Sequence, residues 1–240
     1  CTDALFSKQY PAFEQDYRIV SMVLPNYTKE APFPQGTGLL GTPLDTLADL
    51  FIATVKSTCG ATPPLLVAHD WGAIVAYLAL SKEPRLVARL VALDIGQHSS
   101  PTLKGIFILC AYQWTLIASY FMPSLIGNCL TRLVARLFKA PGAAVAHAGM
   151  NYLYVQVWRM LLTGTAKPLQ KWDPPKVPIL YLYGLNKPLF FHSQRWLQFV
   201  SSQPEATGGK VVAYPGGHWF FTGRQATNVN EEIIKFFAHL

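Results

Sequence analysis

The chain has 240 residues, of which 51% are hydrophobic and only 14% charged. That composition excludes a disordered chain, and the length suits one α/β domain carrying an inserted subdomain. The net charge of +7 comes from scattered Lys and Arg that form no basic stripe, which argues against a nucleic-acid partner.

The cysteines Cys1, Cys59, Cys110 and Cys129 are far apart and show no Cys-x-x-Cys spacing. They read as buried thiols of an intracellular, cytoplasmic protein, and no cluster with ligand spacing calls for a metal. The opening Cys1-Thr-Asp-Ala-Leu-Phe lacks the makeup of a signal peptide.

Residues 3–16 place Leu5, Phe6, Tyr10 and Phe13 at helical spacing, interrupted by Pro11. Arg18 to Leu24 is β-branched and apolar, which predicts a strand ended by Pro25-Asn26. Residues 25–43 are rich in Pro and Gly and read as a long loop. Within it, Gly36-Thr-Gly38-Leu-Leu-Gly41 lacks both the preceding strand and the Gly-Lys-Ser/Thr ending of a phosphate loop. From Thr42 to Ser57, apolar residues at 44, 47, 48, 51, 52 and 55 predict an amphipathic helix, with Thr42 as its cap and Pro43 in its first turn.

Pro64 to Ser81 is the stretch on which the rest is organised. Leu65–Ala68 is a short apolar run suited to a buried parallel strand, and Trp71–Leu80 suits a helix that is apolar on nearly every face. His69-Asp70 lies between them, with Ala68 and Gly72 each two positions from Asp70. Small-x-Asp-x-small is the pattern of a nucleophile elbow, a strained strand-to-helix turn that exposes its central side chain. An Asp that merely caps the following helix is the other reading.

Val87–Leu93 predicts the next strand, ending in Asp94. The alternation of helix and strand to this point calls for a parallel sheet with right-handed crossovers. From Ser99 to Lys171 no strand pattern occurs, only apolar, aromatic-rich helical stretches. Ile106–Met122 carries no charge, but it contains Gln113 and several hydroxyls and stops at Pro123, slightly short of a membrane span. Strands resume at Val177–Gly184 and Lys210–Tyr214, with a helix over Phe190–Val200 between them and a closing helix over Asn230–His239. His218 follows Pro215-Gly-Gly in a flexible turn at a strand's carboxyl end, where ligand sites of α/β sheets form. The division is therefore a core in two parts, 1–98 and 172–240, around a helical insert at 99–171.

His69-Asp70-Trp71-Gly72-Ala73 and Gly217-His218-Trp219 resemble the motifs of epoxide hydrolases and haloalkane dehalogenases, the α/β-hydrolases with an aspartate nucleophile. The resemblance extends over nearly the whole chain. It implies the α/β-hydrolase fold, a mostly parallel sheet flanked by helices with an inserted helical lid. It also implies Asp70 as nucleophile, His218 as base and the Trp71 N–H as an oxyanion donor. Tyr112-Gln113 resembles the Tyr-Gln of the lid, and Tyr154, with Tyr152 as fallback, stands where a second lid tyrosine belongs. Two phenols there would donate to an epoxide oxygen. Packing is the competing reading, since the chain has eleven tyrosines.

The sequence departs from the resemblance twice. In most of the family the acid that orients the histidine follows the strand after the lid, three residues beyond its final glycine. Here that residue is Lys187, and no Asp or Glu occurs from Pro174 to Pro204. Asp94, at the strand end where some members carry the acid, takes its place, unless it serves only to hold backbone amides. The His-Gly-x-Pro loop and first strands of the family are also missing from the sequence. The implied activity is hydrolysis of a hydrophobic small molecule through an aspartyl ester, foremost an epoxide to a diol, with no cofactor and no metal. A haloalkane dehalogenase, with Trp71 and either Trp114 or Asn151 as halide donors, and a non-catalytic protein of the same fold are the alternatives. The apolar lid also suits peripheral contact with a membrane.

Overall fold

Four short strands run side by side, the middle two, rich in Leu, buried almost throughout. The structure is a computed structural model that describes residues 3–204 and 209–238. The strands are β1 (Leu65–His69), β2 (Arg89–Leu93), β3 (Ile179–Gly184) and β4 (Lys210–Tyr214). They form a parallel sheet in the order β1-β2-β3-β4. In β2 and β3 successive side chains alternate between two cores, as the period of two requires. Leu90, Ala92, Ile179 and Tyr181 face one core, and Val91, Leu93, Leu180 and Leu182 face the other.

Helices cover both faces, as a parallel sheet demands. The helix α1 (Tyr10–Phe13) is a short turn preceded by a 3₁₀ turn at Asp3–Phe6. The first core is filled mainly by α2 (Leu44–Cys59) and α3 (Trp71–Lys82). Seven residues of α3, from Trp71 to Leu80, are buried, which explains its lack of a polar face. Between β2 and β3 come α4 (Leu103–Phe121), α5 (Ser124–Leu137), a 3₁₀ turn (Ala148–Asn151), α6 (Tyr152–Leu162) and α7 (Lys167–Gln170). After β3, α8 (Gln194–Ser201) returns to the first core, and after β4, α9 (Ala226–Ala238) packs Val229, Ile233, Phe236 and Phe237 into the second.

A buried polar knot holds the inserted helices together. Asn151 Nδ2 donates to Ser119 Oγ and Thr131 Oγ1, both at 2.8 Å, and these two hydroxyls lie 3.0 Å apart. At Gly127 α5 approaches α4 so closely that a Cβ would fall 2.3 Å from the Ser119 carbonyl oxygen.

Several expectations need correction. Arg18 to Leu24 is not a strand: no ladder hydrogen bonds reach it among the described residues, and Ile19 and Val20 are exposed. Met22, Val23 and Leu24 still pack against the first core, but apolar β-branched residues become a strand only where a neighbour offers pairing. Thr42 does not cap α2. Pro43 occupies the cap position, and the Thr42 hydroxyl is buried without a partner. The helix after β3 starts at Gln194 rather than Phe190, because Phe191 bridges in parallel to Ile95. The closing helix starts four residues early, at Ala226, and the expected end at His239 lies outside the described residues. Nor are the thiols uniformly buried: Cys59 and Cys110 are half-buried and Cys129 is exposed on α5, while Cys1 lies outside the described residues.

Gly184 ties the sheet to the loop after β4. A Cβ there would lie 2.2 Å from the Gly217 carbonyl oxygen and 2.7 Å from that of Gly216, both backbone atoms that cannot rotate away. Gly184→Ala should therefore cost about 1–3 kcal/mol in urea unfolding through overpacking, with displacement of the neighbouring loop. An unchanged midpoint would mean that the loop yields freely.

Candidate active site

Each strand hands one side chain to the carboxyl edge of the sheet. Asp70 follows β1 directly, Asp94 follows β2 directly, Lys187 comes three residues after β3 and His218 four residues after β4. Asp70 has φ 52° and ψ −126°, and Asp94 has φ 67°. Such backbone is strained for a residue with a Cβ, by about 1–3 kcal/mol each. The Asp70 side chain makes no capping bond to α3, although its carbonyl accepts from Ala73 N at 3.0 Å. It is therefore the centre of an elbow rather than a cap. The amides that open α3, Trp71 N–H first, have no acceptor within the helix.

Asp94 has no exposed surface, and three groups from different elements meet it. Its Oδ2 accepts from His218 Nδ1 at 2.6 Å, and its Oδ1 accepts from Gly184 N at 3.0 Å and from the Lys187 ammonium. Asp94 thus makes both contacts that its two sequence readings call for, one to the His218 imidazole and one to the Gly184 backbone amide. Lys187 is nearly as buried, with its side chain 5% exposed, and its ammonium also stands over the Phe190 and Phe191 rings at 5.2 and 5.7 Å. Burial pulls the Lys187 ammonium below its usual pKa while Asp94 pushes it back up.

With Nδ1 donating to Asp94, neutral His218 presents a bare Nε2 toward Asp70, whose Oδ1 is 3.9 Å away. That is too long for a hydrogen bond. His69 lies against this ring, with centroids 4.4 Å apart, and its Nε2 donates to the His218 carbonyl at 3.2 Å. Burial, and next the neighbouring His218, hold His69 well below the usual imidazole pKa. The Asp70 carboxyl is shifted the other way: desolvation raises it, partly countered by His218 and reinforced by Asp94.

These groups border a cavity of about 250 Å³ whose wall is mostly apolar. Asp70, Trp71, Tyr112, Tyr154, Lys187 and His218 all line it. The Tyr112 and Tyr154 rings meet edge to face with centroids 6.0 Å apart, and Tyr154 meets Trp71 in the same way at 5.0 Å. Gln113 Nε2 donates to the Tyr112 oxygen at 3.1 Å while its Oε1 accepts from Trp158 Nε1 at 2.7 Å, so Tyr112 has its hydrogen left to offer. Burial raises both phenols above their usual pKa and keeps them protonated.

Three sequence candidates offer no free donor to the cavity. Tyr152 is wholly buried beside Phe33 and Gly41, away from the cavity. Trp114 is outside the cavity, half-exposed, with its ring against Trp158. Asn151 borders the cavity, but its Nδ2 is committed to Ser119 and Thr131. Neither halide donor proposed beside Trp71 is thus available. Sequence reasoning also missed two residues. Tyr27 adds a third phenol to the wall, but from a loop without periodicity. Lys187 was visible only as the residue replacing an acid, although a cation at that strand end signals a carboxylate nearby. Among the described residues, no group of three His, Cys, Asp or Glu side chains could hold a metal ion.

A model of the alpha/beta hydrolase family matches residues 4–232. The chain belongs to that family. Solved structures resemble this hydrolase throughout their folds at low identity. An alpha/beta hydrolase fold protein from Burkholderia ambifaria has a TM-score of 0.69 at 14% identity, covering 98% of this chain and 86% of that one. An epoxide hydrolase mutant from Bacillus megaterium, complexed with its naphthyloxy-propane-diol product, has a TM-score of 0.63 at 18% identity, covering 99% and 89%. A meta-cleavage product hydrolase mutant from Pseudomonas fluorescens, complexed with acetates, has a TM-score of 0.61 at 14% identity, covering 98% and 85%. No curated protein matches the chain in sequence.

Two tests follow from the charges. Lys187→Met leaves Asp94 without its cation and should cost about 3–5 kcal/mol, the usual penalty for breaking a buried pair. The Lys187→Met/Asp94→Asn double variant should cost less than the two singles together in urea unfolding. His192, bonded through Nδ1 to Tyr181 Oη at 2.9 Å, is held down to about 4 by burial and then by Lys187. The unfolded chain binds the proton first, near pH 6.5, so stability should decline as pH falls from there to about 4. Thermal melts of His192→Gln should show a shallower decline.

Proposed function

We propose that this hydrolase opens epoxides of hydrophobic small molecules to diols through an ester on Asp70. The observation that carries this reading is the position of His218, hydrogen-bonded to Asp94 on one side and facing Asp70 on the other, at a cavity bordered by two protonated phenols. An aspartate nucleophile suits a substrate that alkylates it at an sp3 carbon rather than one that acylates it, and desolvation makes the Asp70 carboxylate more reactive toward carbon.

In the first step an Asp70 oxygen attacks a ring carbon of the epoxide, the carbon–oxygen bond breaks, and the freed oxygen takes a hydrogen from Tyr112 or Tyr154. In the second, His218 Nε2 removes a proton from water, and the hydroxide adds to the carbonyl carbon of the Asp70 ester. The Trp71 N–H stabilises the resulting oxyanion. Collapse releases the diol and restores the carboxylate, and the proton on His218 returns to the tyrosinate. Asp94 keeps the imidazole in the tautomer this requires and stabilises its charged form. The inserted helices, which carry Tyr112 and Tyr154, act as the lid that closes the site from water.

The displaced Trp114 and the committed Asn151 make a halide cradle a poorer fit than an epoxide site. The one other indole on the cavity wall besides Trp71, that of Trp219, donates its N–H to the Phe138 carbonyl at 3.1 Å.

Intact-mass spectrometry with an aryl glycidyl ether tests the scheme. His218→Gln should accumulate one adduct mapping to Asp70, while Asp70→Asn should neither form the adduct nor release diol. Diol production by Asp70→Asn at the wild-type rate would refute the mechanism.

A further inference from the structure

The outward face of α4 is apolar along its whole length. Leu103, Phe107, Trp114 and Phe121 are 87%, 75%, 46% and 60% exposed, and Ala111 and Ala118 are exposed between them. At 100° per residue these six fall within one stripe, roughly 28 Å long for a helix of 19 residues. A helix face turned to water is normally polar. Its neighbour α5 repeats the anomaly with Leu125, Ile126, Leu133 and Leu137 exposed.

The charges on this part of the chain all have one sign. Residues 99–171 contain seven Lys and Arg and no Asp or Glu, so they account for the whole net charge of +7. Lys104, Arg136 and Lys139 are exposed beside the apolar residues of α4 and α5. Among the described residues no helix is long and apolar enough to cross a membrane. An exposed apolar stripe flanked only by cations is the composition of a helix that lies in the headgroup region of an anionic bilayer.

We propose that α4 and α5 dock this hydrolase on an anionic phospholipid surface, with the α4 stripe in the headgroup–acyl boundary and Lys104, Arg136 and Lys139 on the lipid phosphates. Phe138, Gly142 and Val145, at and just beyond the end of α5, line the cavity and are themselves exposed, so part of its wall adjoins the proposed docking face. A hydrophobic molecule dissolved in the bilayer would then enter without crossing water. The docking itself does not depend on the chemistry at Asp70.

Vesicle co-sedimentation tests it, comparing pure phosphatidylcholine with phosphatidylcholine containing about 30 mol % phosphatidylserine at about 0.1 M salt. The protein should sediment with the anionic vesicles at least tenfold more than with the neutral ones. Phe107→Asp/Trp114→Asp and Lys104→Glu/Arg136→Glu should each lose that binding at least tenfold. Arg224→Glu/Lys29→Glu, an equal charge change off the insert, should keep it. All six positions are exposed, and unchanged thermal melts would confirm that the variants fold. Equal sedimentation with both vesicle types, or full binding by either insert variant, would overturn the proposal. So would a dimer in sedimentation velocity without lipid that Phe107→Asp/Trp114→Asp abolishes, since the face would then belong to a second copy.

Discussion

One carboxylate, that of Asp94, holds the carboxyl edge of the sheet together. A buried anion is tolerated only if its oxygens are matched by donors, because the interior does not solvate it. Here the donors come from the end of β3, from Lys187 beyond it and from the loop after β4, so satisfying Asp94 requires three separate chain segments to be in register. The imidazole of His218 is fixed as a by-product of solving that electrostatic problem. Close approach of the Gly216–Gly217 backbone to Gly184 supplies the steric half of the same constraint.

The cost is concentrated at the site. Asp70 and Asp94 both occupy backbone conformations that side chains disfavour, and Asp70, His69 and Lys187 all have pKa values moved against their charged forms by burial. A molecule selected for stability alone would remove these features. The two apolar cores on either side of the sheet hold them in place, and the tight β2–β3 pairing carries Asp94 to its position.

What the sequence made legible was what is encoded locally. Ala68-x-Asp70-x-Gly72 between an apolar run and an apolar helix specifies a turn by itself, and the glycines before His218 do the same for the last loop. Four strands were read within about two residues because each is a short, mostly apolar run bounded by turn residues, and β2 and β3 are buried on both faces. Arg18–Leu24 has the same chemistry but no partner, and pairing is not written in the segment that lacks it. Thr42 failed as a cap because Pro43 took the position. Lys187 was identifiable as an absent acid, yet its role appears only when β2 and β3 lie side by side and bring it 93 positions back to Asp94. The polar knot of Ser119, Thr131 and Asn151 was equally invisible, since three ordinary polar residues acquire meaning only through the packing of α4, α5 and the turn before α6.

The Lys187–Asp94 pair also constrains how this site can change over generations. Placing an acid at 187 while Asp94 remains would crowd two carboxylates around one imidazole and one amide. Removing Asp94 first would strand an ammonium in the interior. Each single substitution passes through a less stable intermediate, so the two positions can exchange roles only together. With lysine at this strand end, the chain is bound to keep its acid just after β2.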